Sequence, residues 1–134
     1  ACKYITIKMK GVDDLIYGQE RINERKRKYC VEGPFDSLFL PNCMAMAGIK
    51  FNVFDLETII VLDNERRNKE IVHSIEKFIT NGYKVCIWPD GIDGKDINDM
   101  ILNGMSTDEI ISVIDTNTYS GLQADFILSQ WRKC

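Results

Sequence analysis

Residues 58–63 read TIIVLD, and this short apolar run decides the fold class. Its β-branched residues are typical of a strand that is buried on both faces of a parallel sheet. Residues 66–81 follow with apolar side chains at helical spacing, Gly82 ends that pattern, and residues 83–88 (YKVCIW) form a second strand-like run. A strand, a helix and a strand in this order predict two adjacent parallel strands. We therefore expect an α/β fold with an open, mostly parallel sheet and helices on both faces.

Other elements can be placed on either side of this unit. Upstream, the patterns predict a half-buried strand over residues 4–9, a turn with a short strand over 13–22, a strand over 28–32, a helix beginning near 36, and a short strand or irregular segment over 42–51. Downstream, they predict a helix over 98–102, a capping box at 106–109 with a helix to about 114, and a capping box at 120–123 that opens a last helix.

The composition is that of a globular protein with one core. The chain has 134 residues, 45% of them hydrophobic and 28% charged, and it contains no apolar run long enough to span a bilayer and no signal-peptide pattern. It begins with Ala, so we expect it to be a fragment of a longer protein. The net charge of −3 argues against a surface that wraps nucleic acid throughout. A nucleic-acid enzyme remains compatible, because metal-binding acids lower the net charge.

The cysteines and the histidine exclude several classes of site. The five cysteines include no C-x-x-C pair, which argues against thiolate-bound zinc and for a protein of a reducing, cytoplasmic compartment. The only histidine, His73, lies in a helical stretch and is interpreted as a surface or packing residue. Catalysis by a Ser-His-Asp or Cys-His arrangement therefore has little support.

Acidic residues follow three predicted strands. Glu32 ends the first, Asp63 and Glu65 follow the second, and the loop after the third contains Asp96. Ligands of open parallel sheets bind beyond the carboxyl ends of the strands, and converging carboxylates suit Mg²⁺ or Mn²⁺. The sequence therefore predicts one divalent-metal site at this edge. The alternative is that Glu32 pairs with an arginine and Asp63 only caps the following helix.

A basic segment precedes the first of these strands. Residues 20–28 read ERINERKRK and contain Arg21, Arg25, Lys26 and Arg27. One interpretation is a solvated loop. The other is a patch beside the acids that faces nucleotide or template phosphates.

Three motifs give the chain a resemblance to a known family. The segments VEGPFD (31–36), IIVLDNE (59–65) and GKDINDMI (94–101) resemble the Toprim domain of DnaG-type and T4-like phage DNA primases. The resemblance implies a Toprim catalytic domain over residues 28–134, with residues 1–27 forming the end of the preceding primase subdomain.

The resemblance also implies roles for individual residues. Glu32 would be a metal ligand or an acid–base group, and Asp63 and Glu65 would hold Mg²⁺, although Glu65 is one methylene longer than the usual aspartate. Asp96 would be a further metal ligand, and Lys95 would contact a nucleotide phosphate. Asp36 is interpreted as the cap of its own helix.

The activity implied is that of a primase. This is a Mg²⁺-dependent nucleotidyltransferase, a DNA-directed RNA polymerase that makes short primers during DNA replication. Its partners would be single-stranded DNA, nucleoside triphosphates and a replicative helicase, with no membrane, in the host cytoplasm if the gene is a phage gene. Because the zinc module and most of the basic subdomain are missing from the chain, we expect it to lack independent primer synthesis.

Three other functions remain open. A Toprim nuclease would use the same acids to cleave phosphodiesters. A helicase-docking module would use the last helix, where Phe126, Ile127 and Trp131 lie at helical spacing. A receiver-like domain shares acids at strand ends but would need its acceptor aspartate and lysine elsewhere.

Overall fold

A computed structural model describes residues 16–46 and 55–134 of the chain. The strand expected over residues 4–9 and part of the segment expected over 42–51 lie outside the described residues. The described strands are β1 (Ile16–Tyr17), β2 (Tyr29–Val31), β3 (Cys43–Met46), β4 (Ile59–Val61), β5 (Lys84–Cys86) and β6 (Thr118–Tyr119). The described α-helices are α1 (Pro34–Ser37), α2 (Lys69–Thr80), α3 (Ile97–Leu102), α4 (Thr107–Thr116) and α5 (Gly121–Trp131).

These strands form one mixed sheet in the order β1-β3-β2-β4-β5-β6. The four central strands are parallel, and β1 and β6 pair antiparallel at the two edges. Adjacent parallel pairing of β4 with β5, in the register Ile60↔Val85, confirms the prediction from the strand–helix–strand pattern. Strand β6 was not predicted, because a two-residue strand is too short to show an alternating pattern.

Helices cover both faces of the sheet, as expected. Ile60 lies in the core shared with α2 and α5, and its neighbour Val61 lies in the core shared with α3 and α4. Successive residues of a strand point to opposite faces, so strands between two helical layers must be apolar throughout. All three residues of β4 are buried accordingly.

Helix α2 begins three residues later than predicted because of a capping asparagine. The apolar period predicted a helix over 66–81, whereas α2 begins at Lys69 because the Asn68 side chain accepts hydrogen bonds from the backbone N–H groups of Glu70 and Ile71. Gly82 follows the helix with φ of +88°, a conformation that favours glycine.

One predicted cap is confirmed and another is wrong. Ser106 and Glu109 form a reciprocal capping box at the start of α4. Ser120 occupies the N-cap position of α5, but its side chain makes no capping hydrogen bond, so no box forms with Gln123.

The division of the chain after residue 27 stays a prediction. Strand β1 precedes that boundary, yet it pairs with β3 in the same sheet as the rest of the described chain. None of the helices within residues 16–46 and 55–134 has both the length and the apolar character needed to cross a membrane.

The aromatic core predicts a large contrast between two phenylalanines. Phe78 is fully buried in α2 and makes an edge-to-face contact with Tyr83 at a centroid distance of 5.5 Å, whereas Phe126 of α5 is 62% exposed. Phe78→Ala should lower the free energy of unfolding by about 3–5 kcal/mol, because it removes apolar contacts and leaves a cavity. Phe126→Ala should change it by less than about 0.5 kcal/mol. Denaturant unfolding measures both, and equal losses would contradict this assignment of the core.

Candidate active site

The acids that follow β2 and β4 lie together at the carboxyl edge of the sheet. The two strands are parallel with Val31 opposite Val61, so Glu32 and Asp63 follow at nearly the same level. Both side chains are half-buried, and their carboxyl groups lie within hydrogen-bonding reach of each other. Two carboxyl groups in such contact share a proton unless a cation replaces it.

The charges around Asp63 make its ionised form unfavourable. Burial is the largest cause that raises its pKa, to about 8, and the negative charges of Glu32, Asp36, Asp96 and Glu65 raise it further. Burial also raises the pKa of Glu32, against the effect of its hydrogen bond with Asp63. The side chains predicted to ligate metal therefore do act on one another electrostatically.

Asp36 caps a helix, but not the helix that the sequence suggested. The N-cap of α1 is Gly33, with no capping hydrogen bond from a side chain. Asp36 is the third residue of α1, and its Oδ1 instead accepts a hydrogen bond of 2.9 Å from the backbone N–H of Asn98, in the first turn of α3. Burial raises the pKa of Asp36 to about 6. The expectation of a local cap was wrong because tertiary packing provides a second helix N-terminus nearby.

The loop before α3 contributes the remaining predicted residues. Asp96 is the N-cap of α3, and its Oδ1 accepts a hydrogen bond of 2.8 Å from the backbone N–H of Asp99. The side chain of Lys95 is exposed, and its backbone carbonyl accepts a hydrogen bond from the N–H of Asn64. Lys95 therefore belongs to the same edge as the acids.

Asn64 joins this loop to the end of β4, a role that the sequence did not reveal. Its Nδ2 donates to the carbonyls of Ile92 and Gly94, at 3.5 and 3.2 Å, in addition to the backbone bond to Lys95. The loop is also closely packed, because a Cβ on Gly94, whose φ is +132°, would lie 2.9 Å from the backbone nitrogen of Met100. The residue between the two acids thus fixes the segment that carries Asp96.

The acidic side chains at this edge do not all point toward one common position. Glu65 is half-buried, and its Oε2 accepts a hydrogen bond of 3.4 Å from Nδ2 of Asn68, at the start of α2. Within the described ranges, no three acidic, histidine or cysteine side chains stand where they could ligate one metal ion without moving. Carboxylate oxygens are ligands that Mg²⁺ prefers, and a cation would offset the repulsion between these negative charges. Binding would require side chains such as Glu65 to turn.

The basic segment lies at the amino ends of the parallel strands, opposite the end that carries the acids. Lys26 and Arg27 precede β2, whereas Glu32 follows it, so the whole strand separates them from the acids. Arg27 pairs with Asp115 at 2.9 Å and lines a polar cavity of about 670 Å³ together with Lys26 and Lys84. A phosphate role for Lys26 and Arg27 stays a prediction, and it would concern a phosphate at this amino edge.

Asn42 holds the basic loop in shape. This residue, with φ of +50°, precedes β3, and its Nδ2 donates to the carbonyls of Asn23, Lys26 and Arg27 while its Oδ1 accepts from the Asn23 N–H. The Asn42 amide therefore fixes the loop that contains the exposed Arg25 through peptide groups, in addition to the ion pairs that Arg27 forms with Asp115 and Lys28 with Glu24. Arg21, in the short 3₁₀ helix (Gln19–Arg21), lines a separate small cavity near β3.

The last helix has both buried and exposed apolar residues. Trp131 is 4% exposed and Ile127 is partly buried against the core, whereas Phe126 and Leu122 are 62% and 87% exposed. The core interpretation therefore holds for Trp131, and the exposed pair lies one helical turn apart. A partner for this exposed pair stays a prediction.

The contacts of Asn64 predict a specific effect of its substitution. Asn64→Ala should lower the free energy of unfolding by about 1–3 kcal/mol, because it removes the side-chain donor that two loop carbonyls share. The largest amide chemical-shift changes should fall in residues 92–96. Asn81→Ala is a matched control, because its Nδ2 bonds only to the Lys77 carbonyl of its own helix and the residue is exposed. Equal shift changes in the loop for both variants would contradict the role of Asn64.

Comparison with known proteins relates this site to a replication enzyme. No protein-family model matches the chain. The chain is 34% identical over 137 aligned residues to the DNA primase of Enterobacteria phage T4. The alignment covers 98% of this chain and 40% of the T4 protein, so the chain spans less than half the length of that relative. With the described α/β sheet, this similarity shows that the chain is related to a region of a phage DNA primase.

Proposed function

We propose that this chain is the Toprim catalytic region of a phage-type DNA primase, which transfers nucleotides to a growing primer with Mg²⁺ or Mn²⁺. The observation that carries the proposal is the shared edge of Glu32, Asp63 and Asp96, where burial and mutual repulsion raise the pKa of Asp63 to about 8. A fold gains nothing from this repulsion, so a bound cation is the simplest reason for it. Similarity to the T4 primase supports the choice of reaction.

The residues of this edge would divide the work of phosphoryl transfer. Glu32 and Asp63, which follow adjacent parallel strands, would bind the metal directly once their shared proton leaves. Glu65 would turn from Asn68 toward the same point, and Asp96 has one carboxylate oxygen beyond its capping bond. A divalent cation held there would stabilise the charge that develops on the entering and leaving oxygens. Exposed Lys95 would contact the triphosphate.

The proposal predicts selective metal binding at the carboxyl edge. Mn²⁺ should broaden amide NMR signals around residues 32, 63 and 96 first, because paramagnetic broadening falls steeply with distance. Asp63→Asn and Glu32→Gln should each weaken Mn²⁺ binding at least about tenfold, the loss of one charged ligand. Asp125→Asn removes an exposed carboxylate of α5 and should leave the titration unchanged. Diffuse broadening, or broadening that survives both site variants, would refute a metal site here.

The raised pKa of Asp63 predicts an unusual dependence of stability on pH. A carboxyl group whose pKa is raised from about 4 to about 8 on folding binds its proton more tightly in the folded state. It therefore stabilises the fold below pH 4, and this contribution is lost as pH rises toward 8. We expect the metal-free protein to lose roughly 1–3 kcal/mol between pH 5 and 8, less than the full shift implies because the site is partly solvated.

Two measurements check this dependence by denaturant unfolding in a chelator. Asp63→Asn, which resembles the protonated aspartate, should flatten the decline. Added Mg²⁺ should restore stability more at pH 8 than at pH 5, because protons compete with the metal. A stability that rises between pH 5 and 8 in the metal-free wild type would contradict the assigned pKa.

Two further functions would use parts of the described chain, one the acidic site and the other helix α5. A nuclease would use the same acids, with water as the attacking group, and would cleave labelled single-stranded DNA with Mn²⁺ in the absence of nucleotides. A docking role is favoured by the exposed Leu122 and Phe126 on α5. Phe126→Asp would then abolish binding to a replicative helicase without changing Mn²⁺ binding.

A further inference from the structure

The Arg66 side chain is a cation held by several contacts at the carboxyl ends of the parallel strands. Arg66 directly follows Glu65, and its Nη1 lies 2.6 Å from Oδ1 of Asp90 in the loop after β5. Its Nη2 donates to the carbonyl of Trp88 at 3.5 Å, and its guanidinium lies 5.6 Å from the ring centre of Trp131. Arg66 therefore bridges the carboxyl ends of β4 and β5.

The partners of Arg66 differ in how far they are exposed to solvent. The Trp131 ring and the Trp88 carbonyl belong to buried residues, and only 22% of the Arg66 side chain is exposed. Asp90 is 92% exposed, so solvent screens its attraction and its side chain can leave without uncovering a core. The guanidinium is preorganised by the tryptophans, while its carboxylate partner is replaceable.

A cavity of about 300 Å³ adjoins this ion pair. The polar residues that line it include Asn117, Gln130 and Lys133 as well as Arg66 and Asp90. Lys133 is fixed next to Arg66 by a hydrogen bond of 2.8 Å from its backbone N–H to the Arg66 carbonyl. A guanidinium with a second cation nearby suits the oxygens of a phosphate group better than a neutral ligand.

We propose that Arg66 is a phosphate-binding residue of this edge and that Asp90 occupies its guanidinium until a phosphate of a nucleotide or a nucleic-acid strand displaces it. The inference builds on the proposed function, because it places this phosphate one strand away from Asp63. Arg66 would hold substrate phosphate while the acids hold metal. The ion pair keeps the cation in position in the absence of substrate.

Opposite effects of two substitutions test the proposal. Arg66→Gln should weaken phosphate binding about tenfold, because it removes a charge-assisted contact. Asp90→Asn should tighten it about two- to fivefold, because it removes the competitor. The Asp90→Asn effect should vanish in the double variant. A purely structural ion pair would instead make both single variants bind equally or more weakly, which would overturn the proposal.

The binding assays use two probes, a fluorescent nucleoside triphosphate and a short labelled single-stranded DNA. The probe that shows opposite effects identifies the source of the phosphate, and absence of opposite effects for both overturns the proposal. Asp93→Asn is the matched control, because it removes an exposed charge from the same loop and Asp93 forms no ion pair with Arg66. If Asp93→Asn tightened phosphate binding as much as Asp90→Asn, the tightening would come from the lower negative charge of the loop in general, and the proposal would be overturned.

Measurements in a chelator and with Mn²⁺ separate this inference from the proposed function. Opposite effects in the chelator, with no selective Mn²⁺ broadening, would support the phosphate site and refute the metal site. Selective broadening without opposite effects under either condition would support the metal site and refute the role of Arg66.

Discussion

The register of the parallel strands is the constraint on which the candidate site depends. Because β2 and β4 run side by side with Val31 opposite Val61, the acids that follow them must meet at one edge. Parallel strands of an α/β sheet are covered on both faces, so only their ends can present charge. The cost of burying Glu32 and Asp63 at this edge is visible in the raised pKa of both groups, for which burial is the largest cause.

Hydrogen bonds between loops hold this repulsive edge in place. The carboxylate of Asp36 binds the first turn of α3, and Asn64 binds the loop that precedes the same helix. Each contact joins segments far apart in the sequence, so the three motifs form one assembly rather than three independent helix starts. These contacts hold the loops together through protein groups alone.

Periodicity and strand-end chemistry explain what the sequence could predict. The pattern around β4 and β5 identified the parallel pair, because buried strands and an amphipathic helix leave strong local signals. The assignment of Asp36 failed because its hydrogen-bonding partner lies 62 residues away. Asn64 and Arg66 were missed for the same reason, since an asparagine or arginine after a strand has no local pattern that names its distant partners. The separation of the basic segment from the acids, by contrast, follows from chain order, because residues 20–28 precede β2 whereas Glu32 follows it.

The length of the parallel strands separates an acidic surface from a basic one. The acids and the cavity next to Arg66 lie beyond the carboxyl ends of the strands, while Arg27 and its polar cavity lie beyond the amino ends. A nucleic-acid strand that touched both edges would have to cross a face covered by helices. The described chain thus presents two distinct surfaces for charged partners rather than one continuous groove.

The single residue Asn42 has a consequence for how this protein can change over evolutionary time. Because the Asn42 amide group binds the peptide groups of Asn23, Lys26 and Arg27, these contacts do not depend on the side chains of Arg25 and Lys26. Selection can therefore alter the charge of Arg25 and Lys26 at little risk to folding. Variation there would follow the partner that the surface meets, and among related sequences these two side chains should diverge while the asparagine persists.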